Sequence, residues 1–305
     1  MTDPGRPAVR VLDRDDPAFP KSLLVVQPQP ERLYALGDLT LLERDLVGIV
    51  GSREPTNYGS RVAYAAGQAA ARAGLVVVSG MARGLDSRAH RGALDAGGGT
   101  IAILGSGVDV PYPRSNKDLY ADVLRSGLLL SEQEPGTNPL PGSFPKRNRL
   151  IAGLARCLLV VEGRIKGGTR NTSRLMADMG KLVLAVPGRI EDEVAAGPNL
   201  LISEGATIYR GPDDLLKPFG IHWEAVERAE KREAAARIGD LFSQESALLS
   251  AEARIFDLLG TEPLHVDAIA ARTRLDAGTL LAALSSLELK GLAVQLPGKH
   301  FRLAA

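Results

Sequence analysis

Beyond Pro141 the chain carries Lys146, Arg147, Arg149, Arg156, Arg164, Lys166, Arg170 and Arg174, with Glu162 almost the only acid among them. One nucleotide cannot use so many cations; a chain of phosphates can. The competing reading is a solvated basic face with scattered counter-acids. Against it, Lys146, Arg147 and Arg149 fall at a loop-to-helix junction, where helix N-terminal amides add to their field. Five Gly-rich loops accompany these cations: GSREPTNYG (51–59), SGMARGLD (79–86), GSGVDVPYP (105–113), PGSFPKRNR (141–149) and GRIKGGTRNT (163–172). Glycine lets a phosphate approach the main chain, and Arg53 stands where the first of these loops opens. A tight turn explains any single loop equally well. Several together, most bearing Arg or Lys, point to an anion site.

Only 4% of the residues are aromatic, yet Tyr58, Tyr112 and Phe144 all fall in these loops. An exposed aromatic offers an unpaired base a stacking platform that an intact duplex cannot use. Phe144, between Gly142-Ser143 and Pro145-Lys146, is the expected platform; Tyr58 and Tyr112 are expected to be buried anchors for their loops.

Catalytic patterns are thin. Ser87 and His90 stand at i, i+3 after Asp86, but no G-x-S-x-G elbow surrounds the serine, and an N-cap with a packed histidine is the simpler reading. Glu132, Glu134 and Glu162 each follow a strand-like run, a weak acid/base signal. Neither G-x-G-x-x-G nor G-x-x-x-x-G-K-[ST] occurs, and the second strand run ends in Ser79-Gly80 rather than in an acid for a ribose hydroxyl, so no cofactor is expected. One cysteine, Cys157, and four scattered histidines predict neither disulfide nor metal site.

The elements that must position these loops follow a fixed grammar from Leu46 onward: a β-branched run, a Gly-rich loop, an Ala/Leu-rich helix. The runs are LVGIV (46–50), LVVVS (75–79), TIAIL (100–104), LLLS (128–131), CLLVV (157–161) and LVLAV (182–186), each continuously apolar, as doubly covered strands must be. Right-handed crossovers turn them into an α/β, Rossmann-like, doubly wound and mostly parallel sheet, with the loops at its carboxyl edge. Residues 1–42 read as an irregular lead-in, 43–218 as the Rossmann-like domain and 219–250 as a charged linker with some helical character. Residues 251–305 read as helix, helix-turn-helix and a hairpin turning at Pro297-Gly298, a winged helix. Its presumed recognition helix, AGTLLAALSSLELK, has Lys290 as its one cation and no base-reading Arg, Asn or Gln, so protein contact, or weak DNA contact by a Lys299-His300 wing, is its expected use.

At 305 residues, 45% hydrophobic and 24% charged, the chain suits one large globular domain and a small one. Its net charge is only +1, so polyanion binding must come from local clustering. An acidic N-terminus and the lack of any run near 18 apolar residues predict a soluble, cytoplasmic protein without membrane contact.

Read in order, GSREPTNYG, SGMARGLDSRAH, GTIAILGSGVDVPYP, SFPKRNRLIAGLA, LVVEG and LAVPG followed by GPNLLISEGA closely resemble the DNA-processing protein A (DprA, or Smf) family, over roughly residues 19–216. The resemblance implies a non-enzymatic single-stranded DNA-binding protein on an extended Rossmann fold. It also implies protection of incoming strands in natural transformation, loading of the RecA recombinase, and a homodimer formed near Leu200, Leu201 and Ile202. By motif it assigns the strand to Arg53, to Ser79, Gly80 and Ala82, and to Lys146, Arg147 and Arg149; with Phe144 as the stacking ring and Gly168, Thr169 and Arg170 of the last glycine loop, these make the expected contact set. Where that family usually has Ser-Gly-Ser-Leu-x-Thr-Ala, this chain has Gly167-Gly168-Thr169-Arg170-Asn171-Thr172-Ser173, with an arginine in place of the leucine. The enzymatic alternative is a Rossmann-type nucleotide-processing protein resembling the phosphoribohydrolases, whose PGGxGTxxE loop is only faintly echoed by KGGTRNTSR.

Overall fold

The computed structural model describes residues 8–304, with only the main chain of residues 234 and 236–246. Residues 1–7 of the expected lead-in lie outside the described residues. The rest of that segment is not irregular: β1 (Arg10–Asp13) and β2 (Arg32–Gly37) pair antiparallel with each other. Prolines at 17, 20, 28 and 30 break the sequence pattern between them, which hides two short strands from a periodicity argument.

The core follows as β3 (Leu46–Val50), α1 (Asn57–Arg72), β4 (Val76–Ser79), α2 (Leu85–Asp95), β5 (Thr100–Ile103), α3 (Lys117–Ser126) and β6 (Leu128–Ser131). The chain then crosses back through α4 (Ser143–Leu154) to β7 (Cys157–Val160), α5 (Gly168–Asp178), β8 (Leu182–Ala185), α6 (Ala196–Ser203), β9 (Thr207–Ile208) and α7 (Pro212–Leu216). Nine strands form one sheet in the order β1-β2-β6-β5-β4-β3-β7-β8-β9, parallel from β6 to β9 and antiparallel at β1 and β2.

Every residue of β3 is buried, because alternate side chains serve two cores. Val47 and Ile49 pack with the alanines of α1 and α2, and Leu46 and Val50 pack with Leu150, Ile151 and Leu154 of α4. Burial on both faces, about 1.5–3 kcal/mol per aliphatic side chain, is what the uninterrupted apolar runs encode.

The chain separates into two compact units, residues 1–226 and 227–305. The charged stretch expected as a linker is helical: α8 (Trp223–Leu258) runs unbroken through it, so the boundary expected at residue 250 falls inside a helix. The second unit adds β10 (Leu264–His265), α9 (Val266–Thr273), α10 (Ala277–Leu289), β11 (Ala293–Leu296) and β12 (His300–Leu303), a winged helix whose wing pairs Leu296 with His300 across the expected turn. Ile255, Ile269, Leu284, Leu287 and Phe301 form its own core.

Candidate nucleic-acid interface

After β3 the chain moves to β4 on one side of the sheet, whereas β7, on β3's other side, leads outward to β8. The β3 and β7 loops therefore diverge, and a crevice opens at the strands' carboxyl ends. It measures about 620 Å³, with Gly51, Arg53, Asp86, Arg164, Lys166 and Gly168 among its lining. A second cavity of about 350 Å³ adjoins it over β4 and β5 and shares Arg53, Ala82, Tyr112, Phe144 and Arg147 with it.

Geometry revises the expected contact set at β4. The Ser79 hydroxyl donates to Ile49 O at 2.6 Å, and the amides of Gly80 and Ala82 donate to the Asp86 carboxylate at 3.2 and 3.4 Å. These groups are thus engaged within the fold, while Gly80 and Ala82 still line the second cavity. Arg147 is committed too: its Nη1 donates to the carbonyls of Gly80 and Ile103, and the side chain is buried. Burial pulls Arg147 down to about 10 and pushes Asp86 up, each partly offset by the other's charge. Its Nε nonetheless lacks a partner, so a buried donor remains at the base of the crevice. Met81 closes this turn in the left-handed region, φ +58°, a strain of about 1–2 kcal/mol, and Asn116 Nδ2 holds its carbonyl at 2.8 Å.

The run of eight cations does not form one ribbon. Arg149 is buried against Glu132 at 2.7 Å, Arg156 pairs with Asp45 at 3.5 Å, and both sit away from the crevice lining. Arg170 makes a two-pronged bridge to Glu204, 2.8 Å on each prong, and with Arg174 lines a different groove between α5 and β8. The leucine-to-arginine departure thus makes an intramolecular bridge and adds no free cation. What remains at the crevice is Arg53, Arg83 and Lys166, together with Arg164, which pairs with Glu193 at 3.1 Å, and Lys146, exposed on the first turn of α4. Arg53, Arg83, Lys146 and Lys166 have no carboxylate partner among the described residues. Arg83 was not singled out by sequence, although it stands inside one of the marked glycine loops.

The aromatics also change places. Tyr112 and Tyr58 are 41% and 47% exposed, so neither is a buried anchor. Phe144 is half-buried, stacks on Tyr112 with centroids 5.5 Å apart, and carries the Arg53 guanidinium at 5.4 Å from its ring. Tyr112 is thus the more exposed ring of this stacked pair.

Helix termini complete the field. The N-terminus of α1, where a dinucleotide fold seats its pyrophosphate, is closed: Thr56 caps Gly59 N at 3.1 Å and is itself held by the buried Glu162 at 2.9 Å. By contrast α4 and α5 start at Gly142 and Gly167 with no side-chain cap. A Cβ at Gly142 or Gly167 would meet nothing within 4 Å, and one at Gly168 only Asn148 Nδ2 at 3.5 Å. None of the three needs a positive φ. At Gly80, packing demands glycine, since a Cβ would collide with the Arg147 guanidinium. Open glycines at uncapped helix starts leave room for an anion.

No hydrolytic pair forms from Ser87 and His90. Ser87 donates to Ala82 O at 2.6 Å, whereas His90 lies within 2.7 Å of Thr100 Oγ1 and burial pushes it down to about 3. Thr100 spends its proton on Val77 O, so His90 Nδ1 must be the donor. Burial pushes the Cys157 thiol up to about 12. His265 and His300, distant in sequence, face each other across β10 and β12 with ring centroids 5.0 Å apart, but the described residues contain no metal-binding group of three. In the winged helix Lys290, just past the end of α10, pairs with Glu252 at 2.5 Å, and α10 exposes Leu281 and Leu289. No described helix is long and apolar enough to cross a membrane.

A doubly wound α/β unit with a phosphate-compatible crevice at its switch point, followed by a winged helix, defines a class of nucleic-acid-binding architecture. The chain belongs to the DNA recombination-mediator protein A family, whose model matches residues 10–220, and a DprA winged-helix model matches residues 243–299. Protein Smf of Synechocystis sp. is 34% identical over 95% of this chain and 79% of its own length. DNA processing protein DprA of Streptococcus pneumoniae is 39% identical over 67% and 72%. Among solved structures, DNA processing protein A of Streptococcus pneumoniae superposes with a TM-score of 0.67 at 38% identity, covering 70% of this chain and 75% of that one. DNA processing protein A from Helicobacter pylori, solved for its single-stranded DNA binding mode, gives 0.63 at 29% identity, covering 69% and 95%.

Proposed function

We propose that the chain is a non-enzymatic single-stranded DNA-binding protein that lays the strand along the carboxyl edge of its sheet. Phosphates run past Arg53 and Arg83, Lys146, Lys166 and the open amides of α4 and α5; a base stacks on Tyr112, supported by Phe144. One observation carries the reading: at the switch point, cations without carboxylate partners, uncapped helix starts and a solvent-facing aromatic meet in one crevice. Stacking of an exposed base selects single strands over duplex. The Helicobacter relative, described for single-stranded DNA binding, supports the same assignment.

The wider role proposed, as the resemblance to the family implies, is protecting incoming strands in natural transformation in the cytoplasm and handing them to RecA for homologous recombination. A homodimer through the Rossmann-like unit is part of the proposal. Leu200, Leu201 and Ile202 of α6 are half-buried, and the neighbouring edge strand β9 leaves Ile208 43% exposed.

The test is binding to oligo-dT across a salt series. Arg53→Ala with Lys146→Ala is expected to weaken binding by on the order of tenfold or more and to make the log–log salt slope shallower by about 1.4, roughly 0.7 for each phosphate that is no longer neutralised. A folded double variant with unchanged affinity and slope removes the site.

A further inference from the structure

A separate cavity of about 530 Å³ lies at the carboxyl ends of β7 and β8. Val161, Val186 and Ala195 give it apolar walls, and the half-exposed Tyr58 ring stands at its side. Its charges are mainly acidic, Glu162 and Asp192, and its one cation, Arg189, lies 3.6 Å from Glu191. Glu162 already receives two hydrogen bonds from Thr56, at 2.9 and 2.5 Å. Asp192 is exposed; its main chain is fixed in a turn by Arg189 O at 3.2 Å and Ala195 N at 2.9 Å, and its carboxylate has no ion pair among the described residues. The loop is held from behind by Asn199, which both donates to and accepts from Gly188, at 3.0 and 3.1 Å.

The adjoining crevice has the opposite sign. Arg53 and Lys166 line it without carboxylate partners among the described residues, beside Arg147, which faces Asp86, and Arg164, which pairs with Glu193 at 3.1 Å. Glu162 lines the cavity and Gly163 the crevice, so the two spaces meet across one peptide bond. A phosphate is attracted to one and repelled by the other. A nucleobase suits the acidic one: its faces match Tyr58 and the aliphatic walls, and an exocyclic amine finds a carboxylate acceptor.

We propose that this cavity is a base subsite, which takes one unstacked base of the strand whose phosphates lie in the crevice. Tyr58 is its stacking wall, and Asp192 makes it favour the amine-bearing bases adenine and cytosine over thymine. The proposal rests on the reading of the crevice as a phosphate track.

Its test compares oligo-dA, oligo-dC and oligo-dT of equal length on the full chain, by fluorescence anisotropy. The parent is expected to bind oligo-dA and oligo-dC more tightly than oligo-dT. Tyr58→Ala weakens oligo-dA and oligo-dC about tenfold, Tyr58→Phe restores them, and Asp192→Asn brings all three homopolymers level without changing the salt slope. Ala195→Met, which adds bulk to another residue of the cavity lining, reproduces the Tyr58→Ala loss. Equal parental affinities, or parental behaviour in both Tyr58→Ala and Ala195→Met, overturn the subsite. An Arg53→Ala variant run alongside separates the two claims: if it binds as the parent does, the phosphate track itself fails.

Discussion

At the scale of single residues, the base of the crevice is a solved desolvation problem. Arg147 and Asp86 are both buried; each charge partly offsets the other's desolvation, so removing either is expected to destabilise the fold. His90 shares this environment and remains neutral, held near 3 first by burial and then by the Arg147 charge. The unfolded imidazole titrates near 6.5, so between about pH 6.5 and 3 the unfolded chain binds the extra proton and stability falls as pH falls. The expected slope from this one group is at most about 1.4 kcal/mol per pH unit. Urea unfolding of the parent and of His90→Gln at pH 7 and pH 4.5 checks it: the parent's advantage shrinks at the lower pH, and a constant gap refutes the assignment. The sequence showed His90 one turn from Ser87, a spacing that suggests catalysis; only the fold shows that each has a different partner.

At the scale of elements, glycines that look alike in sequence separate into two kinds. Gly80 makes room for a buried guanidinium, while Gly167 and Gly168 open the start of α5 to solvent. Gly168→Ala is therefore expected to leave thermal stability unchanged or raise it by about 0.5–1 kcal/mol, while its methyl group reduces affinity for oligo-dT. Gly80→Ala is expected to do the reverse in kind, costing about 1–3 kcal/mol through overpacking. Calorimetry beside the binding assay distinguishes them, and a Gly168→Ala protein that binds normally argues against a phosphate at α5. Six of the seven parallel strands were legible because each carries a local apolar run. β1, β2 and β9 were not: prolines interrupt the pattern around the first two, and β9 is only two residues long.

At the scale of the whole molecule, the two units divide the work unequally. The crevice, the open helix starts and the exposed Tyr112 ring all belong to residues 1–226, whereas α10 of the second unit exposes Leu281 and Leu289, and Lys290 just beyond it is tied to Glu252. A chain ending at residue 226 is expected to bind oligo-dT with nearly the parent's affinity and salt slope. A large drop in either would assign DNA contacts to the winged helix.

Length, composition and the spacing of apolar runs and glycines determined the α/β class, the winged helix and the edge of the sheet that carries the Gly-rich loops. Those are local signals, readable over five to fifteen residues. Which cations stay available was decided only in three dimensions. The groups that engage Arg149, Arg170 and Arg147 lie 17, 34 and 67 residues away, and Glu162 reaches Thr56 across 106. A charge's availability depends on what packs beside it, and spacing along the chain carries no record of that.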